Sequence, residues 1–291
     1  MRASAFAPAK VNLFLHVGPL SADGYHPLSS LVVFADVGDR VSVERAETAS
    51  FSVEGPFANA LAGEADNLVL RAVDALEAEA GRAFPPLRIT LEKRLPVAAG
   101  LGGGSSDAGA ALRAVRDHLG LGTPDGALER IAAGLGSDGP MCLWAKAALA
   151  SGRGERLSAA PPLPELYGVL VNPGAPCPTG AVYAAYDRGK PRSADTPPPV
   201  ASRTVEELVE HLALARNDLE APAAGIAPEV GAVLETLRSA PETLLARMSG
   251  SGATCFALCR GPAEARALQQ RISALRPRWW AVSTRFGDGP I

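Results

Sequence analysis

Polar and apolar residues alternate over residues 10–17, KVNLFLHV. A period of two belongs to a strand, with Val11, Leu13, Leu15 and Val17 on one face and Lys10, Asn12, Phe14 and His16 on the other. Apolar runs predict further strands at residues 31–34, 41–43 and 87–91, with a polar loop over residues 21–27 between the first two. Residues 66–79 instead show helical spacing, through Leu68, Ala72, Val73 and Leu76. A glycine-rich stretch, PVAAGLGGGSS at residues 96–106, precedes a second helix. There Ala108, Ala111, Leu112, Val115 and Leu119 share a face, and Gly120 stops it. Thr123 and Pro124, a cap residue and a first-turn proline, open a third helix that ends near Gly134.

A closing strand near residues 147–150 leads to the proline-rich AAPPLP at residues 159–164. That segment predicts a boundary between an N-terminal domain, 1–158, and a C-terminal domain, 159–291. Beyond it, residues 167–171 read as a strand. Residues 187–202, rich in Pro, Ser, Lys and Arg, read as a mobile loop. Thr204 and Glu207 have capping-box spacing. Helices over 228–238 and 263–275 and strands over 244–248, 255–258 and 279–284 complete the pattern. This order predicts an α+β second half with an antiparallel sheet.

The 291 residues are 47% apolar and 20% charged, enough to bury a sizeable core. A net charge of −3 and a pI near 5.9 argue against general nucleic-acid binding, which needs a basic surface. No stretch approaches the roughly 18 apolar residues of a membrane span, and no secretory leader is read, so a cytoplasmic chain is expected. Cys142, Cys177, Cys255 and Cys259 form no CxxC pair and read as buried free thiols.

The strongest local candidate for chemistry is the glycine-rich loop. Gly100, Gly102, Gly103 and Gly104 leave backbone N–H groups unshielded, and the helix behind them aims its positive end at the same place. Ser105 and Ser106 add hydroxyl groups. No lysine follows the glycines, and the spacing also fails GxGxxG, so neither common nucleotide motif is present. Lys10 and Asn12 would point together from one strand face. Asp138 reads either as a helix cap ahead of Pro140 or as a carboxylate able to take a proton from a hydroxyl. Gly250, Ser251 and Gly252 form a second glycine-rich turn. Tyr25 and His26 offer a stacking ring and an imidazole.

In order, Pro8-Ala9-Lys10-Val11-Asn12-Leu13, the loop from Pro96 to Ser106, and Met248-Ser249-Gly250-Ser251-Gly252 resemble the GHMP kinase family, which includes galactokinase, homoserine kinase and mevalonate kinase. Further segments resemble its branch acting on a cytidine diphosphate derivative in isoprenoid precursor synthesis. These are Asp23-Gly24-Tyr25-His26, Asp66-Asn67-Leu68, Lys93-Arg94-Leu95-Pro96, Gly152-Arg153-Gly154-Glu155 and Asn217-Asp218-Leu219. The resemblance implies a two-domain α+β architecture, with a ribosomal-protein-S5-like N-terminal domain, a ferredoxin-like C-terminal domain and the site between them.

It also implies ATP and Mg²⁺ as cofactors, a small-molecule substrate, Asp138 as proton acceptor and Lys10 beside it as a stabilising charge. ATP would lie on Pro96, Gly100, Leu101, Gly102, Gly103, Gly104, Ser105 and Ser106, with the adenine near Asp66, Asn67, Leu68 and Lys93. Substrate would meet Asn12, Tyr25, His26, Tyr183, Gly250, Ser251 and Gly252, with Tyr25 and Tyr183 sandwiching the cytosine. The resemblance names no protein ligand for the metal. Two departures stand out. Gly139 replaces the valine that the branch carries beside the aspartate, which is expected to loosen that turn. Lys146 stands where glycines are usual. A homoserine- or mevalonate-type kinase, or a non-catalytic module of the same fold, remains the alternative.

Overall fold

The computed structural model describes residues 2–62, 66–189, 191–195 and 201–291. The chain opens with two long strands, β1 (Ala3–Val17) and β2 (Leu28–Arg45), paired antiparallel. They are followed by β3 (Ser50–Glu54), α1 (Leu68–Ala80), β4 (Leu87–Glu92), α2 (Gly103–Leu119), α3 (Asp125–Leu135) and α4 (Gly139–Trp144). The hairpin β5 (Ala148–Gly152) and β6 (Arg156–Ala159) leads to β7 (Leu166–Asn172), α5 (Thr179–Asp187), α6 (Val205–Ala213), α7 (Glu220–Ile226) and α8 (Pro228–Arg238). The last elements are β8 (Leu245–Met248), β9 (Cys255–Cys259), α9 (Pro262–Leu275) and β10 (Trp280–Gly287). The loop expected over residues 187–202 lies partly outside the described residues, at 190 and 196–200.

Among the described residues the strands join in one ten-stranded sheet, with a path β3-β4-β2-β10-β7-β9-β8. Every pairing is antiparallel except β3 with β4. The last strand closes onto the second: Phe286 pairs with Ala35 and Gly287 with Phe34. Helices α1 and α2 bury Val69, Leu76, Leu112 and Val115 against Val41, Val43 and Leu91 of the sheet. In the second half, α8 and α9 bury Val230, Leu234, Leu268 and Ile272 against Val169, Val171 and Ala257.

Two expectations about the first strands change. The apolar runs at 31–34 and 41–43 belong to one strand, because pairing with β1 resumes beyond an irregularity between Pro8 and Lys10. The simple alternation of β1 also fails. A register shift between Asn12 and Phe14 inserts one extra residue, and a bulge of that kind reverses which side later residues face. Phe14 therefore joins Val11 and Leu13 in the central core, while Leu15 and Val17 enter the core of the second half. The third helix begins at Asp125, with Pro124 as its extended cap residue and no side-chain cap from Thr123.

All four cysteines are buried and free. No helix of the described residues is long and apolar enough to cross a membrane.

Candidate active site

A cleft of about 1050 Å³ runs between the loop ahead of α2, the loop after β1, the start of α5 and the turn after β8. Its centre is an ion pair from residues far apart in sequence: Lys10 Nζ lies 3.0 Å from Asp138 Oδ2. Lys10 is nearly buried, whereas the Asp138 side chain keeps 36% of its exposure and faces the opening. Asp138 sits at the cap position of α4, but its side chain makes no cap hydrogen bond. The carboxylate therefore serves the cleft and not the helix.

The glycine-rich loop is tied to β1 at both ends. Lys10 N donates to Leu101 O at 2.8 Å, and Ser106 Oγ donates to Pro8 O at 2.8 Å. Gly102, in the left-handed region at φ 61°, precedes α2 without a side-chain cap. The first-turn N–H groups of a helix have no intrahelical acceptor, so those of Gly103, Gly104 and Ser105 can meet an anion. There is no acidic residue in that first turn to compete.

The second glycine turn packs directly on the first. Ser249 Oγ donates to Gly100 O at 3.0 Å, and Thr254 N donates to Ala99 O at 3.2 Å. A Cβ on Gly100 would stand 2.3 Å from Ser249 O, so this contact requires a glycine. Asn217 Nδ2 holds the same turn, donating to Met248 O and Gly250 O at 2.8 Å each. Asn12 donates through Nδ2 to Ser30 Oγ at 2.7 Å, while its buried Oδ1 has no partner among the described residues.

At the other end stand Tyr25, His26 and Tyr183. The Tyr183 ring packs 5.0 Å from that of His26, and burial, with the charge of Asp138, pushes its phenol up to about 12. His26 Nδ1 donates to Gly18 O at 2.9 Å, leaving Nε2 at 3.4 Å from Asp187 Oδ1. Tyr25 is half exposed and has the Arg153 guanidinium 3.9 Å from its ring centre.

Most of the expected residues line the cleft: Lys10, Asn12, Tyr25, His26, Asp66, Asn67, Leu68, Lys93, Pro96, the four loop glycines, Ser105, Asp138, Tyr183, Gly250 and Ser251. Leu101, Ser106 and Gly252 lie behind its wall. Leu101 and Ser106 are fully buried, and a Cβ on Gly252 would meet Met248 Sδ. Asn67 also caps α1, accepting from Val69 N at 2.9 Å. The ammonium of Lys93, at the cleft wall, is held by Asp39 and Asp107 beneath the loop. Asp39, Asp107 and Thr179 escaped the sequence reading, and Arg153 entered it only within the motif at residues 152–155. Only Asp107, a carboxylate directly after the loop on an otherwise apolar helix face, carried a local signal.

Both departures from the branch pattern find an explanation. Gly139 does not loosen its turn: it begins α4, and a Cβ there would lie 1.9 Å from Ala132 O. Close packing of α3 on α4 requires the glycine. Lys146 is exposed and lies outside the cleft wall.

The chain belongs to the GHMP kinase family, a family of ATP-using small-molecule kinases: residues 67–146 match the GHMP kinases N terminal domain and residues 200–277 the GHMP kinases C terminal domain. Its two-domain α+β architecture is that of the family. A 4-diphosphocytidyl-2-C-methyl-D-erythritol kinase of Caulobacter vibrioides is 59% identical over 289 residues, covering 98% of this chain and all of the relative. One from Hyphomonas neptunium is 48% identical, covering 99% of this chain and 97% of its own. A crystal structure of 4-(cytidine 5'-diphospho)-2C-methyl-D-erythritol kinase superposes with a TM-score of 0.76 at 34% identity, covering 98% of this chain and 99% of that one. Homoserine kinase from Cytophaga hutchinsonii shares the fold, with a TM-score of 0.69 at 17% identity and coverage of 99% and 96%.

Proposed function

We propose that the chain transfers the γ-phosphoryl group of ATP to the 2-hydroxyl of 4-diphosphocytidyl-2-C-methyl-D-erythritol, in the non-mevalonate route to isoprenoid precursors. The observation that carries this reading is the Lys10–Asp138 pair, 3.0 Å apart, between a loop suited to phosphates and an aromatic pocket suited to a nucleobase. The near-full-length similarity to kinases of that name supports the choice of substrate.

The phosphates of ATP lie on the open N–H groups at the start of α2, with the adenine toward Asp66, Asn67 and Leu68. Asp138 accepts the proton of the substrate hydroxyl while its oxygen bonds to the γ-phosphorus and the bond to the β–γ bridging oxygen breaks, releasing ADP. Lys10 holds the carboxylate in place and balances charge that spreads over the transferred group. The unpartnered Oδ1 of Asn12 accepts a substrate hydroxyl and fixes its approach. Tyr25 and Tyr183 stack on the cytosine, and His26 Nε2 reads its edge.

Mg²⁺, which the family's chemistry calls for, would supply positive charge that neutralises the phosphates. Among the described residues no group of three or more His, Cys, Asp or Glu is assembled to hold a metal.

An ATP-coupled assay offering the diphosphocytidyl substrate, homoserine and mevalonate in turn tests the reading. Turnover is expected with the first alone. Comparable or faster turnover with either of the others would replace the substrate assignment while leaving the kinase chemistry intact.

A further inference from the structure

Beneath the phosphate-bearing loop lies a charge cluster that the transfer step above does not use. Lys93 Nζ is 2.6 Å from Asp39 Oδ2 and 2.7 Å from Asp107 Oδ2, and all three side chains are almost without solvent. Asp39 Oδ1 is satisfied, accepting from Arg94 N at 2.6 Å and Leu95 N at 2.8 Å. Asp107 Oδ1 is buried and has no partner among the described residues. The cluster reaches the loop directly: a Cβ on Gly103 would stand 3.1 Å from Lys93 Nζ.

One cation faces two carboxylates. With both ionised, the cluster holds an unbalanced buried negative charge, and one anionic oxygen has no donor; each is costly in a medium of low polarity. A proton on Asp107 removes both problems. Burial is the largest influence on Asp107; together with the charge of Asp39, and against the pull of Lys93, it sends the carboxyl up to about 8. Among the described residues the surrounding elements offer nothing else to balance it. From α4 comes the Cys142 thiol, pushed up to about 12 by burial and so neutral. Beyond Cys142 stands the Lys10–Asp138 pair, already mutually compensated, and α1 presents the apolar Leu68 to this end of α2.

We propose that Asp107 is a positioning residue for the phosphate-bearing loop: as a neutral acid it leaves a balanced Asp39–Lys93 pair under Gly103, and as an anion it puts uncompensated negative charge beneath the phosphates of ATP. The inference rests on the reading that ATP phosphates lie at the start of α2. Asp107 reaches the cleft wall with almost no exposed surface and acts through Lys93 and the loop. Its proton passes to solvent as pH rises, so ATP affinity falls through the range in which Asp107 ionises.

The test is calorimetric ATP binding at about pH 7 and about pH 9 to the wild type, Asp107→Asn and Ser105→Asp, each checked for folding by circular dichroism. The wild type is expected to lose roughly five- to thirtyfold in affinity at the higher pH, the effect of one partly screened charge at loop distance. Asp107→Asn cannot ionise and should lose less than about twofold beyond what ATP itself contributes. If Asp107→Asn fails to fold, Asp39→Asn replaces it. That variant leaves Asp107 as sole partner of Lys93, ionised at both pH values, and should flatten the profile equally. Ser105→Asp sets a carboxylate on the first turn of α2, a position helices tolerate, and should weaken ATP roughly tenfold or more. If Ser105→Asp binds ATP like the wild type, the phosphates lie elsewhere and both readings fall. If Ser105→Asp loses ATP but the Asp variants follow the wild-type pH profile, only the role of Asp107 is overturned.

Discussion

Asp138 precedes a proline-bearing first turn, where an aspartate ordinarily caps the helix. Its side chain instead bonds to Lys10, 128 positions away. An asparagine would keep that shape but accept protons far less readily. Asp138→Asn is therefore expected to lower turnover by roughly 10²–10⁴-fold while ATP still binds. Turnover within a few-fold of wild type, in a variant that binds ATP normally, would remove Asp138 from the role of base. Its neighbour makes a different prediction. Restoring the branch residue with Gly139→Val drives a Cβ into the Ala132 carbonyl, 1.9 Å away. Backbone cannot yield as a flexible side chain can, so a loss of about 1–3 kcal/mol is expected. Urea unfolding measures it; an unchanged midpoint would mean that α3 shifts freely.

Among the elements, α5 contributes most that was not foreseen. Only Val182 and Tyr186 are buried along its nine residues, too weak a pattern to read as a helix beside the proline-rich segment that follows. Yet α5 carries Tyr183 to His26 and Thr179 to Ser251, 2.8 Å between hydroxyl oxygens, and so closes the end of the cleft proposed for the nucleobase. Tyr25 enters the same end from the loop after β1. Stacking on an aromatic ring is worth roughly 1–3 kcal/mol per base. Tyr25→Ala should raise KM for the diphosphocytidyl substrate by roughly ten- to a hundredfold and leave KM for ATP unchanged. Paired saturation curves decide: a shift in the ATP curve alone would mean that the two nucleobase ends are reversed. Strand β2 shows the opposite error, one element read as two. Asp36 looks like turn material, but its carboxylate accepts from Thr284 Oγ1 and Arg285 N of β10, so the partner strand stabilises extended backbone there.

For the whole molecule, β1 joins the two halves together with the pairing of β2 and β10. His16 holds this junction: Nδ1 donates to Asp195 O at 2.7 Å, and Nε2 accepts from Arg216 N at 3.2 Å. Those bonds need the neutral ring. Burial first, with Arg216 and Arg247 adding, lowers the pKa of His16 below 6.5, against the Asp195 bond and the charge of Asp218. A lowered histidine pKa means that the unfolded chain takes up the proton first as pH falls. Its stabilisation is thus complete above about pH 6.5 and is lost as pH drops toward the folded value. Urea midpoints at about pH 7.5 and about pH 5 should fall more steeply for the wild type than for His16→Gln. Equal slopes would locate the acid sensitivity elsewhere.

The sequence by itself determined what depends on near neighbours. Spacing set α1, α8 and α9 nearly to the residue, because each buries one stripe of its own side chains, whereas α2 begins at Gly103, inside the stretch read as a loop ahead of it. It also marked the glycine loop, whose φ values above zero at Gly100 and Gly102 only glycine adopts at little cost. Ordered motifs carried the family. Tertiary structure alone decided what depends on partners distant in sequence. No local signal tells Lys10 that Asp138 will meet it, or that Lys93 will point beneath the loop to Asp39 and Asp107. The bulge in β1 sends Phe14 to one core and Leu15 to another, against the alternation that local pattern implies. A residue's type fixes what chemistry it can offer; the free energy of the assembled sheet fixes where that chemistry is offered.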